Sequence, residues 1–160
     1  MLKVVNLCIT NTDKNKILFI KRNKVPFRNY WGMLGGKIEN DEEHSDAASR
    51  ELREESGILS EGEFLGKCHE KNLENGEVIN EFDIYFYHFV IGEDSDFISD
   101  TIEGEIKWFN LDELKGIEVI PSDPLMINAF LNKNKKEALS IIQKIEEKYF
   151  QDKFIEDNNK

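Results

Sequence analysis

Cysteine is scarce in this chain: Cys8 and Cys68 are the only two among 160 residues, and their separation fits neither a zinc site nor a redox pair. Both fall in apolar, strand-like stretches, so they are expected to be buried, reduced thiols. Cations are also short. Twenty-one Lys and Arg face 32 Asp and Glu, a formal charge of −11. A nucleic-acid polymer needs Lys and Arg to replace the counterions along its phosphates, so that class of partner is excluded. Small phosphorylated ligands are not, because a divalent cation can bridge an acidic protein and an anionic molecule. Long apolar runs are missing too. Met1–Cys8 lacks the apolar length of a signal peptide, and no later segment reaches a transmembrane length. No membrane partner and a cytoplasmic location are therefore expected. The alternating oxygen-donor loop of a calcium site, with its central glycine, is absent. No repeat or linker divides the chain, and its length suits one domain with a sizeable core.

The pattern of apolar residues places strands at Val4–Thr10 and Ile17–Lys21 around a turn at Asn11–Asn15. A loop with Pro26 follows, and Trp31–Leu34 leads into Gly35-Gly36. A helix is expected to open between Glu43 and Asp46. Strands are expected again at Phe64–Lys71, at Ile79–Ile91 and at Glu105–Asn110, then a helical turn at Leu111–Leu114. Aromatics fall on both alternating faces of Ile79–Ile91, which predicts a sheet covered on both sides. From Pro124 the character turns helical: Ala138, Leu139, Ile141, Ile142, Ile145 and Tyr149 recur with helical spacing. That helix is expected to pack on the sheet or to make a homodimer contact with a second copy. Residues 1–150 are read as one domain and 151–160 as a flexible tail. The order of elements predicts an α+β or layered α/β/α fold.

Acid is what the chain has in quantity, and it is placed against ordinary helix energetics. Glu51, Glu54 and Glu55 share one helical face, where like charges repel by roughly 0.2–0.5 kcal/mol per pair. Gly57 reads as a left-handed cap just past the helix end, so these acids occupy the last turns, where the helix dipole favours cations. Two readings fit: a bound cation offsets the repulsion, or the face is a solvated surface on which Arg50 pairs with Glu54 at i+4.

The stretch from Gly36 to Ile58 settles the family it looks like. Gly36, then Glu42 six residues on, then Arg50-Glu51-Leu52-Arg53-Glu54-Glu55-Ser56-Gly57-Ile58, fills every specified position of the Nudix hydrolase signature, which it resembles. Seven fixed identities at roughly 7% usage each coincide about once in 10⁸ windows. Even a hundredfold allowance for glutamate enrichment leaves chance out. The resemblance implies a Nudix-type α/β/α sandwich with a mixed sheet and a loop–helix catalytic motif.

It also implies site roles. Glu51, Glu54 and Glu55 would hold Mg²⁺, or Mn²⁺ as a substitute, with a backbone carbonyl of Gly35 or Gly36 contributing. Carboxylates are the hard ligands these ions take. Arg50 would orient the carboxylates, a role compatible with a plain pair to Glu54. Glu42 is specified too, with a bracing or capping role. One departure is Asp41-Glu42-Glu43, where many relatives carry Gly-Glu-Thr, and a glutamate is a poor substitute cap. A further family acid is expected just before a Trp-containing strand; Glu103 aligns better than Glu105, as an added metal ligand or a general base. Trp108 itself reads as core.

The signature does not choose the substrate. Trp31-Gly32-Met33-Leu34-Gly35-Gly36 lacks the proline that many relatives place before the glycine pair, as in some oxidised-purine triphosphatases of the family (MutT- and MutX-like). Pro121-Ser122-Asp123 partly resembles an element that reads the purine edge in one such branch, although Asp123 could equally cap the helix after it. Arg22, Trp31, Lys37 and Asp123 are the candidate substrate contacts, with Asn6, Phe27 and Tyr30 as further base contacts or core. Markers of ADP-ribose and dinucleoside polyphosphate hydrolases are absent about fifteen residues past the signature. The expected reaction is water attack on phosphorus in a nucleoside triphosphate, an oxidised purine dNTP first. ADP-ribose, dinucleoside polyphosphates and nucleotide sugars are alternatives, and a non-catalytic nucleotide sensor is a third reading.

Overall fold

The computed structural model of the protein describes residues 1–97 and 99–157. Among these residues ten strands form one mixed sheet, and the first four frame the site: β1 (Leu2–Thr10), β2 (Lys16–Arg22), β3 (Trp31–Gly32) and β4 (Leu34–Lys37). Helix α1 (His44–Ser56) follows, then β5 (Glu63–Glu74), β6 (Glu77–Val90), β7 (Asp100–Thr101) and β8 (Gly104–Asn110). A short 3₁₀ segment, Leu111–Gly116, leads to α2 (Ser122–Met126), which runs on through wider turns over Ile127–Asn132. The chain closes with β9 (Glu137–Ile145) and β10 (Lys148–Glu156).

The strand order is β10-β9-β5-β6-β1-β2-β8-β7. β1 and β6 run parallel in full register from Leu2 opposite Phe82 to Thr10 opposite Val90. On its other side β1 meets β2 only at the turn, Thr10 opposite Ile17, and then gives its edge to β4, with Val5 opposite Gly36 and Asn6 opposite Gly35. β2 instead turns to β8 and β3. The sheet therefore opens where the glycine pair lies. That split puts the glycine backbone beside the end of α1.

One core lies under α1, where Ala47, Ala48 and Leu52 pack on Val5, Leu7, Leu18, Tyr87 and Phe89. The other lies under α2 and its extension, where Met126, Ile127 and Phe130 meet Phe19, Ile84 and Phe86. Both faces of β6 are covered, as its aromatics predict. Cys8 and Cys68 are buried free thiols. Trp108 packs against the α1-side core. Among the described residues no helix is long and apolar enough to cross a membrane.

The carboxy-terminal helix expected over 138–149 is not there. Those residues form β9 and β10, and the strand runs to Glu156, well into the expected tail; residues 158–160 lie outside the described part. Local spacing misleads here because the same residues also alternate. Ser140 and Ile142 face inward while their neighbours are more exposed, and β9 pairs parallel with β5, Lys67 opposite Glu137 through Leu73 opposite Gln143. That partner lies some 70 residues away in sequence, so no local window contains it. The hairpin turn at Glu146-Glu147, with Glu146 at φ 56°, carries no Asn-Gly or similar signal. Trp31–Lys37, to which the sequence pattern assigns no element, forms β3 and β4 for the same reason: short, glycine-rich strands defined by their partners.

Candidate active site

Helix α1 begins weakly, as its cap residue predicts: Glu43 is extended at φ −70°, ψ 143° and its side chain caps nothing. Its other end is firm, since Gly57 sits at φ 78° and its N–H bonds the Arg53 carbonyl. The start is braced instead by Arg50. Arg50 Nε donates to Glu42 Oε2 at 2.8 Å and one terminal nitrogen to Glu42 Oε1 at 3.0 Å. The same guanidinium reaches the Lys37 carbonyl at 3.0 Å, Glu51 at 3.0 Å and Glu54 at 3.2 Å. Glu42 in turn accepts the Glu39 N–H at 2.9 Å. Hydrogen bonds from Arg50 hold Glu42 below the usual carboxylate range and push the guanidinium itself further up. One side chain thus ties the loop, the helix start and two acids of the helix face together.

Glu55 is only 8% exposed. Its Oε1 accepts the Gly35 N–H at 2.9 Å, which fixes the end of α1 to the open edge of the sheet. Burial pushes its pKa from 4.5 to about 8; the Gly35 bond opposes this, while Glu51 and Glu103 add to it and Arg22 opposes it. Burial raises Glu51 as well, with Arg50 holding it partly down and Glu54 and Glu103 adding to the rise. Glu54 is the exposed member, at 52%.

The two glycines differ in what forbids a side chain. A Cβ on Gly36 would strike the Glu51 carboxylate, whereas one on Gly35 would strike the Val5 carbonyl in the backbone of β1. Gly36→Ala is therefore expected to leave folding intact, because Glu51 can swing aside, yet to lower kcat about tenfold or more by displacing that acid. Gly35→Ala is expected to destabilise by roughly 1–3 kcal/mol, as the backbone must shift. Thermal melts beside rate measurements check both.

Glu103, rather than Glu105, is the further acid that Glu51 and Glu55 feel electrostatically. Its carboxylate is paired with Lys24 at 2.9 Å, a partner that no pattern in the sequence marks. Glu105 lies exposed on β8 opposite Lys21. Among the described residues no three acid, His or Cys side chains stand close enough together to form a finished ion cage, since Arg50 occupies Glu51 and Glu54 and Lys24 occupies Glu103. The donors nonetheless suit a hard divalent cation. They are all oxygen; Glu55 is buried with no ion-pair partner among the described residues, and Glu51 and Glu54 share the one Arg50 guanidinium.

Arg22, at the end of β2, faces this acid group; burial lowers its pKa, with Glu103, Glu55 and Asp123 opposing. Its Nε donates to the Pro26 carbonyl at 2.7 Å. Asp123 caps nothing. It is buried on α2, accepts the Met33 N–H at 2.8 Å, and burial lifts it from 3.8 to about 8, with the Met33 bond opposing. Trp31 lies apart from the acids, edge-on to Phe109 at 4.8 Å and beneath the Lys107 ammonium. The Lys37 side chain is exposed, and only its carbonyl joins the cluster. Glu70 is a buried acid that sequence reading passed over. It accepts the Ser140 hydroxyl at 2.8 Å, and burial raises it. Its inward position between Cys68 and Asn72 in the alternation of β5 was the available signal.

A mixed sheet covered on both faces, with a glycine strand tied to an acidic helix end, is the arrangement that the signature resemblance implies. The family model of the NUDIX domain matches residues 1–130, and the chain belongs to the Nudix family as a pyrophosphohydrolase. A curated relative, the uncharacterised Nudix hydrolase YvcI of Bacillus subtilis, is 27% identical over 122 residues, 76% of this chain and 75% of that protein. The mutator MutT protein of Bacillus halodurans has the same fold at a TM-score of 0.78 and 19% identity, each chain covered in full. The NUDIX domain of Shewanella oneidensis NrtR, solved with ADP ribose, aligns at 0.67 and 19% identity over 80% of this chain and 84% of that one. Divalent metal ions are the general cofactors of the family.

Proposed function

We propose that this Nudix hydrolase cleaves a nucleoside triphosphate, an oxidised purine deoxynucleotide first among them, to the monophosphate and pyrophosphate. The observation that carries the reading is the placing of Arg22 at the end of β2, where both Glu55 and the buried Asp123 feel its charge. A cation near both an acid cluster and a buried carboxyl suits a ligand with phosphates at one end and a polar ring at the other.

In this reading Glu51, Glu54 and Glu55, with Glu103 and a carbonyl of Gly35 or Gly36, hold Mg²⁺ or Mn²⁺. The bound ion supplies charge neutralisation on the bridging phosphates and activation of water. Arg50 keeps Glu51 and Glu54 aimed and takes no part in the reaction. Arg22 meets the phosphates with the free end of its guanidinium, which suits bidentate contact. Glu103, once released from Lys24, is placed to join the ion's oxygen shell or to take the proton of the attacking water. Asp123, largely protonated at neutral pH, can both donate to and accept from a base edge. Trp31 and Lys37 are secondary contacts at the rim.

Product analysis on a panel tests this: oxidised and normal dNTPs, ADP-ribose, dinucleoside polyphosphates and nucleotide sugars with Mg²⁺ or Mn²⁺. Pyrophosphate release from dNTPs is expected, with oxidised purines turned over fastest. Preference for ADP-ribose would overturn the substrate, and no product with any nucleotide would restore the sensor reading. Asp123→Asn is expected to narrow the gap between oxidised and normal purines about tenfold while turnover of the poorer substrate changes little.

A further inference from the structure

We infer that Tyr149, on the carboxy-terminal hairpin, is a positioning residue for Arg22; the inference rests on Arg22 being the phosphate contact of the proposed reaction. The segment after β2 is wound around Arg22. The Arg22 N–H bonds the Tyr30 carbonyl at 2.9 Å, its carbonyl accepts the Asn29 N–H at 2.8 Å, and its Nε donates to the Pro26 carbonyl at 2.7 Å. With Nε so used, the two terminal nitrogens make no hydrogen bond among the described residues, and their N–H groups are free for a ligand. Where they point therefore depends on where the Pro26 carbonyl is held.

The loop's own hydrogen bonds, including the Tyr30 N–H to the Phe27 carbonyl at 3.0 Å, close it but leave the Phe27 ring to be held from outside. Phe27 and Asn29 both sit in the left-handed region, at φ 65° and φ 70°, an unfavoured conformation for a bulky aromatic that persists only when the surroundings impose it. The surroundings are the hairpin. The Phe27 ring lies 4.4 Å from that of Tyr149, and Tyr30 meets Tyr149 edge-on at 5.5 Å. The buried Tyr149 N–H donates to the Tyr30 hydroxyl at 2.9 Å. The neighbouring Lys148 pairs with Glu118, whose carbonyl takes the Trp31 N–H at 2.8 Å. One strand end thus holds the middle of the Arg22 loop, at Phe27, and its far end, at Tyr30 and Trp31. A displacement of about 1 Å at a group that aligns substrate can lose two orders of magnitude in rate, so a packing residue this close acts on the reaction without touching it.

A double-mutant cycle tests the coupling. Arg22→Ala, Tyr149→Ala and the pair are compared in kcat and KM, and in equilibrium binding of a non-hydrolysable α,β-methylene nucleoside triphosphate with Mg²⁺. Each single change is expected to raise KM and weaken binding about tenfold or more, and the pair to be no worse than Arg22→Ala alone. Losses that multiply would overturn the inference, as would a folded Tyr149→Ala with wild-type binding. Tyr30→Phe, which removes one oxygen, is put through the same cycle and decides the matter if Tyr149→Ala does not fold. Wild type that binds the analogue but turns over no triphosphate would refute the proposed reaction while leaving the cycle readable by binding. Arg22→Ala with unchanged binding would remove the basis of the inference itself.

Discussion

Glu55→Gln is expected to lower kcat roughly a thousandfold, within the range lost when a group handling charge or protons at the reaction centre is removed, and to leave the metal-free protein as stable as wild type or more so. Glutamine matches the protonated acid in shape and can still accept the Gly35 N–H. Stability should change most with pH. The folded Glu55 titrates near 8 instead of 4.5, so it binds its proton more tightly folded than unfolded. Its contribution is fully present below about pH 4.5 and is lost as pH rises towards 8. Glu51 and Asp123, both raised, push in the same direction. Metal-free wild type should therefore melt progressively lower from pH 5 to pH 8, and Glu55→Gln should flatten part of that slope. Added Mg²⁺ should raise the melting temperature of wild type more at pH 8 than at pH 5, since the ion takes the place of a proton. Melting curves at three pH values with EDTA or Mg²⁺ read all of this. A metal-free Glu55→Gln that melts well below wild type at pH 8 would show that the ionised carboxylate serves the fold.

Arg50→Lys should be nearly as harmful despite keeping the charge, with kcat/KM about a hundredfold lower and a lower melting temperature as well. The guanidinium is only 18% exposed and contacts Glu42, Glu51, Glu54 and the Lys37 carbonyl together. A lysine offers three donors from one point and cannot make the two parallel bonds to Glu42. Losing them leaves Glu51 without its cation, Glu42 with the Glu39 N–H alone, and the helix start without its brace. Steady-state kinetics beside calorimetry distinguishes this from a purely catalytic loss. Near-normal activity in Arg50→Lys would mean that the charge alone suffices.

Helix α1 and its cap were readable because what defines them is local. The cap at Gly57, the spacing of three and four, and the buried stripe of Ala47, Ala48 and Leu52 all fall within one helix. Strands β1, β2, β5, β6 and β8 followed from the same kind of evidence, whereas β3, β4 and β7 did not. What escaped was set by distant partners. β9 is a strand because β5 offers it an edge, although residues 137–149 include several good helix formers. Lys24 meets Glu103 because two loops converge, and neither loop carries a pattern. Glu70 was concealed by its own type, since an acid in an exposed strand position and one in a buried position look alike until the register is known.

The parallel pairing of β9 with β5 also divides the site by sequence. The contacts of α1, the glycine pair and the Arg50 cluster all lie within residues 1–132. The wall of the loop around Arg22 comes from Tyr149. A chain cut before residue 137 would keep every acid of the centre and lose the surface proposed to align a substrate against it.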